Sequence, residues 1–298
     1  MELGVCLPTG RECGDPGFLV ELAERAEGAG WDGVFLEDYV CYQGDAATPT
    51  CDTWTALAAM AVRTERIRLG TEVTPLARRR PWNVARQAAG IDQLSGGRMV
   101  LGVGVGDTGE AVGVDASIAR FGEQTDPRRR GEMLDEGLEI IAGLWTGGPF
   151  SFRGKHFVVD DVRFLPVPVQ RPRVPIWIGG GYPNPRPTRR AARWDGACLY
   201  KETHGGPWEN LTFDEVGAIK AAAGDRPYTV VVGGAVRTGD WDAERENLRS
   251  VAAAGADWWI EWLPPADRDT MRHQVDRGPL RPGTRQHDDG GDRDGDGG

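Results

Sequence analysis

The carboxylates Glu37, Asp38, Glu72, Glu202 and Glu261 stand at or just beyond the ends of short apolar runs. Such groups can supply general acid or base chemistry, or hold a metal if histidines join them. A metal is not expected. No His-x-His follows the first apolar run, and of the four histidines His156 lies in a hairpin-like stretch and His287 in the C-terminal tail. His204, in a Gly-flanked loop, reads as a solvated residue, with the titratable partner of a carboxylate as the alternative. Gly179-Gly180-Gly181 follows one apolar run and precedes a helical pattern. Bare backbone N–H groups and a helix N-terminus together favour a phosphate, although close helix packing explains a triple glycine as well. Gly102, Gly104 and Gly106 recur with a period of two, which sets them along a strand and not on a dinucleotide-binding turn. Arg78-Arg79-Arg80 and Arg128-Arg129-Arg130 both read by default as helix-flanking surface charge, although the first lies just past a strand end, where it could meet an anionic ligand.

These residues need a frame. Arg66 to Gly106 reads as a strand–helix–strand unit, with Pro81 opening a helix whose Val84, Ala88, Ile91 and Leu94 share a face and Ser95-Gly96-Gly97 closing it. The alternation extends in both directions. Strands are expected at Leu3–Leu7, Gly33–Leu36, Arg66–Val73, Met99–Val105, Pro175–Ile178, Gly196–Tyr200, Tyr228–Val232 and Asp257–Leu263. Asp15, Asp52, the pair Thr212 and Glu215, and Asp240 mark helix starts, and Arg128–Trp145 forms a further helix. Eight nearly continuous apolar strands, each followed by a helix, predict a closed (β/α)8 TIM barrel with insertions. The barrel would span residues 1–276, with a lid at 107–127 and an inserted hairpin region at 146–170. Residues 277–298, rich in Gly, Asp and Pro, read as a disordered acidic tail.

In such a barrel the active site lies at the C-terminal ends of the strands, so Cys6, Glu37, Asp38, Glu72, Gly104 and Gly179 to Gly181 become candidates. Alternation lets about half of them point inward. Trp258, Trp259 and Trp262 cluster at the eighth strand, where a flat apolar wall would suit a planar cofactor. A net charge of −10 argues against nucleic acid. Five cysteines without C-x-x-C spacing suggest neither a disulfide framework nor zinc. With no basic leader and no apolar run near the roughly 18 residues of a membrane span, a cytoplasmic protein is expected.

The stretch RIRLGTEVTPLARRRPWNVARQAAGIDQLSGGRMVLGVGVG resembles the signature region of the bacterial luciferase-like family of flavin- and deazaflavin-dependent oxidoreductases. The likeness continues in AERAEGAGWDGVFLEDY, in RRRGEMLDEGLEIIAGLWTGGPFSFRGKHF, in PVQRPRVPIWIGGG and in RAARWDGACLY. It implies a luciferase-like barrel binding FMN, with the deazaflavin coenzyme F-420 as the alternative, at its C-terminal face. The chemistry implied is hydride transfer or flavin-peroxide monooxygenation of a small organic substrate. A non-prolyl cis peptide beneath the ring would fall at Glu72-Val73, and the phosphate contacts at Gly179, Gly180 and Gly181. Cys6, Glu72, Val73 and Gly104 then join the cofactor site, with Asp38 and Glu72 as catalytic candidates. Many members carry a histidine after the aspartate, where this chain has Tyr39. That departure leaves a catalytically silent flavin-binding barrel as the rival reading. The resemblance also implies a homodimer and, for reduced flavin, a flavin reductase as electron donor.

Overall fold

A computed structural model describes residues 1–106, 120–201, 209–234 and 236–281. The chain opens with β1 (Glu2–Leu7), α1 (Pro16–Gly28), β2 (Gly33–Leu36), α2 (Thr53–Arg63), β3 (Arg68–Thr71), the two-residue β4 (Thr74–Pro75), α3 (Pro81–Leu94) and β5 (Met99–Gly104). It continues with α4 (Pro127–Leu144), the hairpin β6 (Pro149–Arg153) and β7 (Val158–Arg163), then β8 (Ile176–Tyr182), α5 (Pro185–Ala191), β9 (Gly196–Lys201) and α6 (Phe213–Ala221). The last elements are β10 (Thr229–Gly234), α7 (Trp241–Ala253), β11 (Trp258–Trp262) and α8 (Arg268–Asp276). The sheet runs β3-β2-β1-β11-β10-β9-β8-β5, and pairing of Leu69 with Met99 and Gly70 with Val100 joins β3 to β5. Every neighbouring pair in this ring is parallel, so the expected TIM barrel is the observed fold.

Local chemistry places the helices where the caps announce them. Asp15, Asp52 and Asp240 each accept a first-turn backbone N–H, and Thr212 with Glu215 forms a complete capping box. The hairpin pairs antiparallel outside the barrel, its turn held by Glu136 of α4, which accepts from the backbone N–H groups of Lys155, His156 and Phe157. Arg98 binds the underside together by donating to the carbonyls of Ala61, Thr64, Ile67 and Ser95. One boundary moves. Residues 277–281, expected in the tail, pack on the barrel: Leu280 joins Leu3 and Leu248, and Arg277 pairs with Glu261.

The lower half of the barrel is a plug of large side chains set against glycines. Phe35 stacks on Trp177 at 5.5 Å between ring centroids and meets Trp258 edge-on at 5.6 Å. Room for them comes from Gly4, Gly33, Gly70 and Gly196, at each of which a Cβ would lie within 2.9 Å of an aromatic carbon. Cys6, Val100, Cys198, Val231 and Ile260 complete the interior cluster. Strand periodicity then assigns the next layer toward the C-terminal mouth: Glu37 above Phe35, Glu72 above Gly70, Gly102 and Gly104 above Val100, Gly179 above Trp177 and Trp262 above Ile260.

Candidate active site

At the mouth, β3 gives way to β4 through a cis peptide between Glu72 and Val73, at the position that the family resemblance implies. The glycines opposite make space for Val73. A Cβ at Gly104 would lie 3.0 Å from Val73 Cγ2, and one at Gly179 would lie 2.7 Å from Val73 Cγ1. At Gly102 a Cβ would sit 2.0 Å from the Thr71 carbonyl oxygen, and the Thr71 hydroxyl donates to the Gly102 carbonyl at 2.6 Å. Val73 and these glycines therefore make a shallow apolar shelf on the barrel wall.

Two carboxyls converge beside it. Glu72 reaches across to β9, where the Cys198 thiol donates to its Oε1 at 2.9 Å. Glu37 accepts from the indole N–H of Trp262 at 3.3 Å and is hydrogen-bonded by Tyr42. Each residue is only partly buried, yet the Oε2 atom of each is closed to solvent and has no hydrogen-bond partner. Burial pushes the Glu72 carboxyl up to about 7, the Cys198 bond pulling slightly the other way. Burial likewise raises Glu37 to about 7, with the neighbouring Glu72 charge adding to the rise and the Tyr42 and Trp262 bonds opposing it. The Cys6 and Cys198 thiols beside them are driven well up by burial and by these carboxyls, so both are neutral sulfhydryls.

Asp38 is not part of this group. Its Oδ1 accepts from Arg78 at 2.8 Å and Arg79 at 2.7 Å, and its Oδ2 from Arg79 at 2.9 Å, Thr74 at 2.9 Å and the Trp54 indole at 3.4 Å. Periodicity turns Asp38 away from the axis when Phe35 and Glu37 face it, and the arginines fill its oxygens. Arg78 and Arg79 are thereby committed to the fold. Arg80 remains exposed, on a groove that Arg78 and Arg79 also line, together with Asn83, Arg86 and Gln87 of α3.

The other expected residues divide similarly. Cys6 lies inside the barrel below the carboxyls. Gly180 has a packing role, since a Cβ there would lie 2.6 Å from Pro187 of α5. The first turn of α5 offers few donors: Pro185 and Pro187 have no N–H, and that of Arg186 is taken by the Asn184 side chain. A phosphate at Gly179 to Gly181 would thus rest on strand backbone. Glu261 faces outward and is held by Arg237 at 2.7 Å and by Arg277. Glu202, His204 and residues 107–119 of the expected lid fall outside the described residues. The base of that segment is braced by the buried Arg130, which donates to the carbonyls of Val105 and Gln124. Among the described residues no cluster of His, Cys, Asp and Glu could hold a metal, and no helix is long and apolar enough to cross a membrane.

A planar ring fits the upper end of this site. The shelf offers an apolar seat where Val73 packs on glycines whose Cβ atoms would displace it, and the unsatisfied carboxyl oxygens offer hydrogen bonds to a polar edge.

The profile of the luciferase-like monooxygenase family matches residues 1–297, and the chain belongs to that family. It is 36% identical over 172 residues to an F420-dependent glucose-6-phosphate dehydrogenase of Amycolatopsis mediterranei, covering 56% of this chain and 49% of that one. A similar dehydrogenase of Microbacterium testaceum is 35% identical over 182 residues, 60% of this chain and 50% of its own. The chain thus spans about half the length of these curated relatives. Among solved structures, an F420-dependent secondary alcohol dehydrogenase in complex with an F420-acetone adduct superposes with a TM-score of 0.70 at 16% identity, over 92% of this chain and 96% of that one. The monooxygenase RslO1 from Streptomyces bottropensis gives 0.67 at 20% identity, with the same coverage. At these identities the likeness to both structures is one of fold.

Proposed function

We propose that the chain is an oxidoreductase that moves a hydride between a small organic substrate and a ring cofactor of the flavin class, and that this cofactor is the deazaflavin F-420. The observation that carries the class is the mouth of the barrel, where the Val73 shelf and two unpartnered carboxyl oxygens stand side by side. The sequence alone leaned toward FMN. Two things favour the deazaflavin: the two dehydrogenases cited above are named for dependence on it, and the groove carrying Arg80 and Arg86 opens beyond the same strand end, where it suits a cofactor with an acidic tail.

When bound, the ring would supply the two-electron chemistry. Val73, Gly104 and Gly179 would seat its flat face. The aromatic plug of Phe35, Trp177 and Trp258 keeps water from entering through the barrel floor. Glu72 and Glu37 would hold polar groups of ring or substrate through their free oxygens.

Titration of the purified protein with F-420 and separately with FMN, followed by absorbance and fluorescence, tests this reading. F-420 should bind below about 100 µM, a free energy of about −5.5 kcal/mol, and more tightly than FMN. Tighter FMN binding would reverse the choice of cofactor, and binding of neither would overturn the function. Steady turnover of an alcohol or carbonyl compound with the bound cofactor would exclude the silent barrel.

A further inference from the structure

We propose that Glu37 and Glu72 act as one acid pair that holds a single proton in the resting protein and exchanges it with the oxygen of an uncharged hydroxyl- or carbonyl-bearing substrate, Glu37 being a catalytic residue alongside Glu72. The proposal rests on the oxidoreductase reading above and names the substrate class of that site.

The geometry carries it. The two side chains come from adjacent strands at the same level of the barrel, and each has one oxygen anchored and one left over. Glu37 Oε1 is held by the Trp262 indole, and Glu72 Oε1 by the Cys198 thiol. The Oε2 atoms are sealed from bulk water without partners. Buried carboxyl oxygens are almost always satisfied, so a pair of orphans at the mouth of a barrel marks a place where a ligand completes the bonding.

Among the described residues the surroundings hold no compensating charge. The groups facing the pair are Cys6 from β1, Tyr42 from the loop after β2, Cys198 from β9 and Trp262 from β11, all of them neutral donors or thiols. Arg78 and Arg79 donate to Asp38, on the outward side of β2. Two carboxylates in one such site cannot both stay ionised, and a shared proton is the physical solution. The same absence of cations among the described residues of the inner layer disfavours a phosphorylated substrate, unlike the sugar phosphate for which the curated relatives are named.

In the oxidative direction the substrate's C–H bond breaks and its electron pair leaves with the hydrogen as hydride. The carbon is oxidised by two electrons, for which a bound deazaflavin ring would be the two-electron acceptor. The hydroxyl proton passes to the ionised member of the pair as the C=O bond forms. In reduction the shared proton goes to the carbonyl oxygen.

Infrared spectroscopy of cofactor-free protein carrying 13C-labelled glutamate side chains tests the pair directly. At about pH 6 a protonated carboxyl C=O band should be present, fade on raising the pH through neutrality, and change on Glu37→Gln or Glu72→Gln alone. At saturating cofactor, Glu37→Gln should lower kcat by about 10²- to 10⁴-fold. A spectrum at about pH 6 that neither substitution alters, in variants with native circular dichroism, would overturn the pair. Equal turnover of a sugar phosphate and its unphosphorylated counterpart would overturn the substrate class. If neither F-420 nor FMN binds while the infrared band behaves as expected, the oxidoreductase reading fails and the proton sharing stands. If a cofactor binds and both carboxyls prove ionised, the reverse holds.

Discussion

Replacing Glu72 by glutamine should make the protein more stable in mild alkali and leave it almost unchanged in mild acid. In the folded chain the Glu72 carboxyl titrates at about 7, against 4.5 for an ordinary glutamate. Between those values the folded state holds a proton that the unfolded state has released. The contribution is therefore fully present below about pH 4.5, declines as the pH rises, and is lost above about pH 7. Holding the pKa at about 7 rather than 4.5 is worth at most about 3.5 kcal/mol, at about 1.4 kcal/mol per pH unit. Sharing one proton with Glu37 and the open mouth of the barrel reduce this to about 1–2 kcal/mol. Glutamine keeps the carbonyl oxygen that accepts from Cys198 and removes the charge, so it escapes the loss. Urea unfolding followed by the fluorescence of the eleven tryptophans is the assay. Glu72→Gln should gain about 1–2 kcal/mol over the parent at about pH 8 and lie within about 0.5 kcal/mol of it at about pH 4. A stability difference that does not change with pH would show that the carboxyl is not perturbed by the fold, and the electrostatic argument for the mouth would fall with it.

Two further substitutions separate the site from its scaffold. Asp38→Asn should cost about 3 kcal/mol in urea unfolding, because it leaves the nearly buried Arg78 and the partly buried Arg79 without their counter-charge. Its cofactor titration should match that of the parent, and a loss of binding at preserved stability would return Asp38 to the cofactor site. Gly179→Ala would set a Cβ 2.7 Å from Val73 Cγ1 and lift the shelf. Fluorescence titration should then show cofactor affinity reduced at least about tenfold, with about 1–3 kcal/mol of stability lost to overpacking. Unchanged affinity would place the ring elsewhere.

Much of this arrangement could be read from the chain. The strands announced themselves because a parallel barrel buries both faces, giving near-continuous apolar runs, and the helix starts because Asp15, Asp52, Thr212 and Asp240 cap them. That same two-sided burial hid the parity. In Gly33–Leu36 every residue is buried, so nothing local distinguishes the inward set from the outward one. Phe35 and Glu37 face the axis because Phe35 must meet Trp177 and Trp258, a fact about three strands and four distant glycines that no single segment contains. Alternation then fixes Asp38 outward, where Arg78 and Arg79 await it, and so the most conspicuous carboxylate of the sequence became a structural tie while its neighbour became the chemical candidate. The tryptophans obeyed the same logic. Trp258 and Trp262 point into the barrel and Trp259 packs outside, so the expected flat wall is split by the strand that carries it. The parity of one strand, once set by its large residues, thus decides which side chains at its end can reach a substrate.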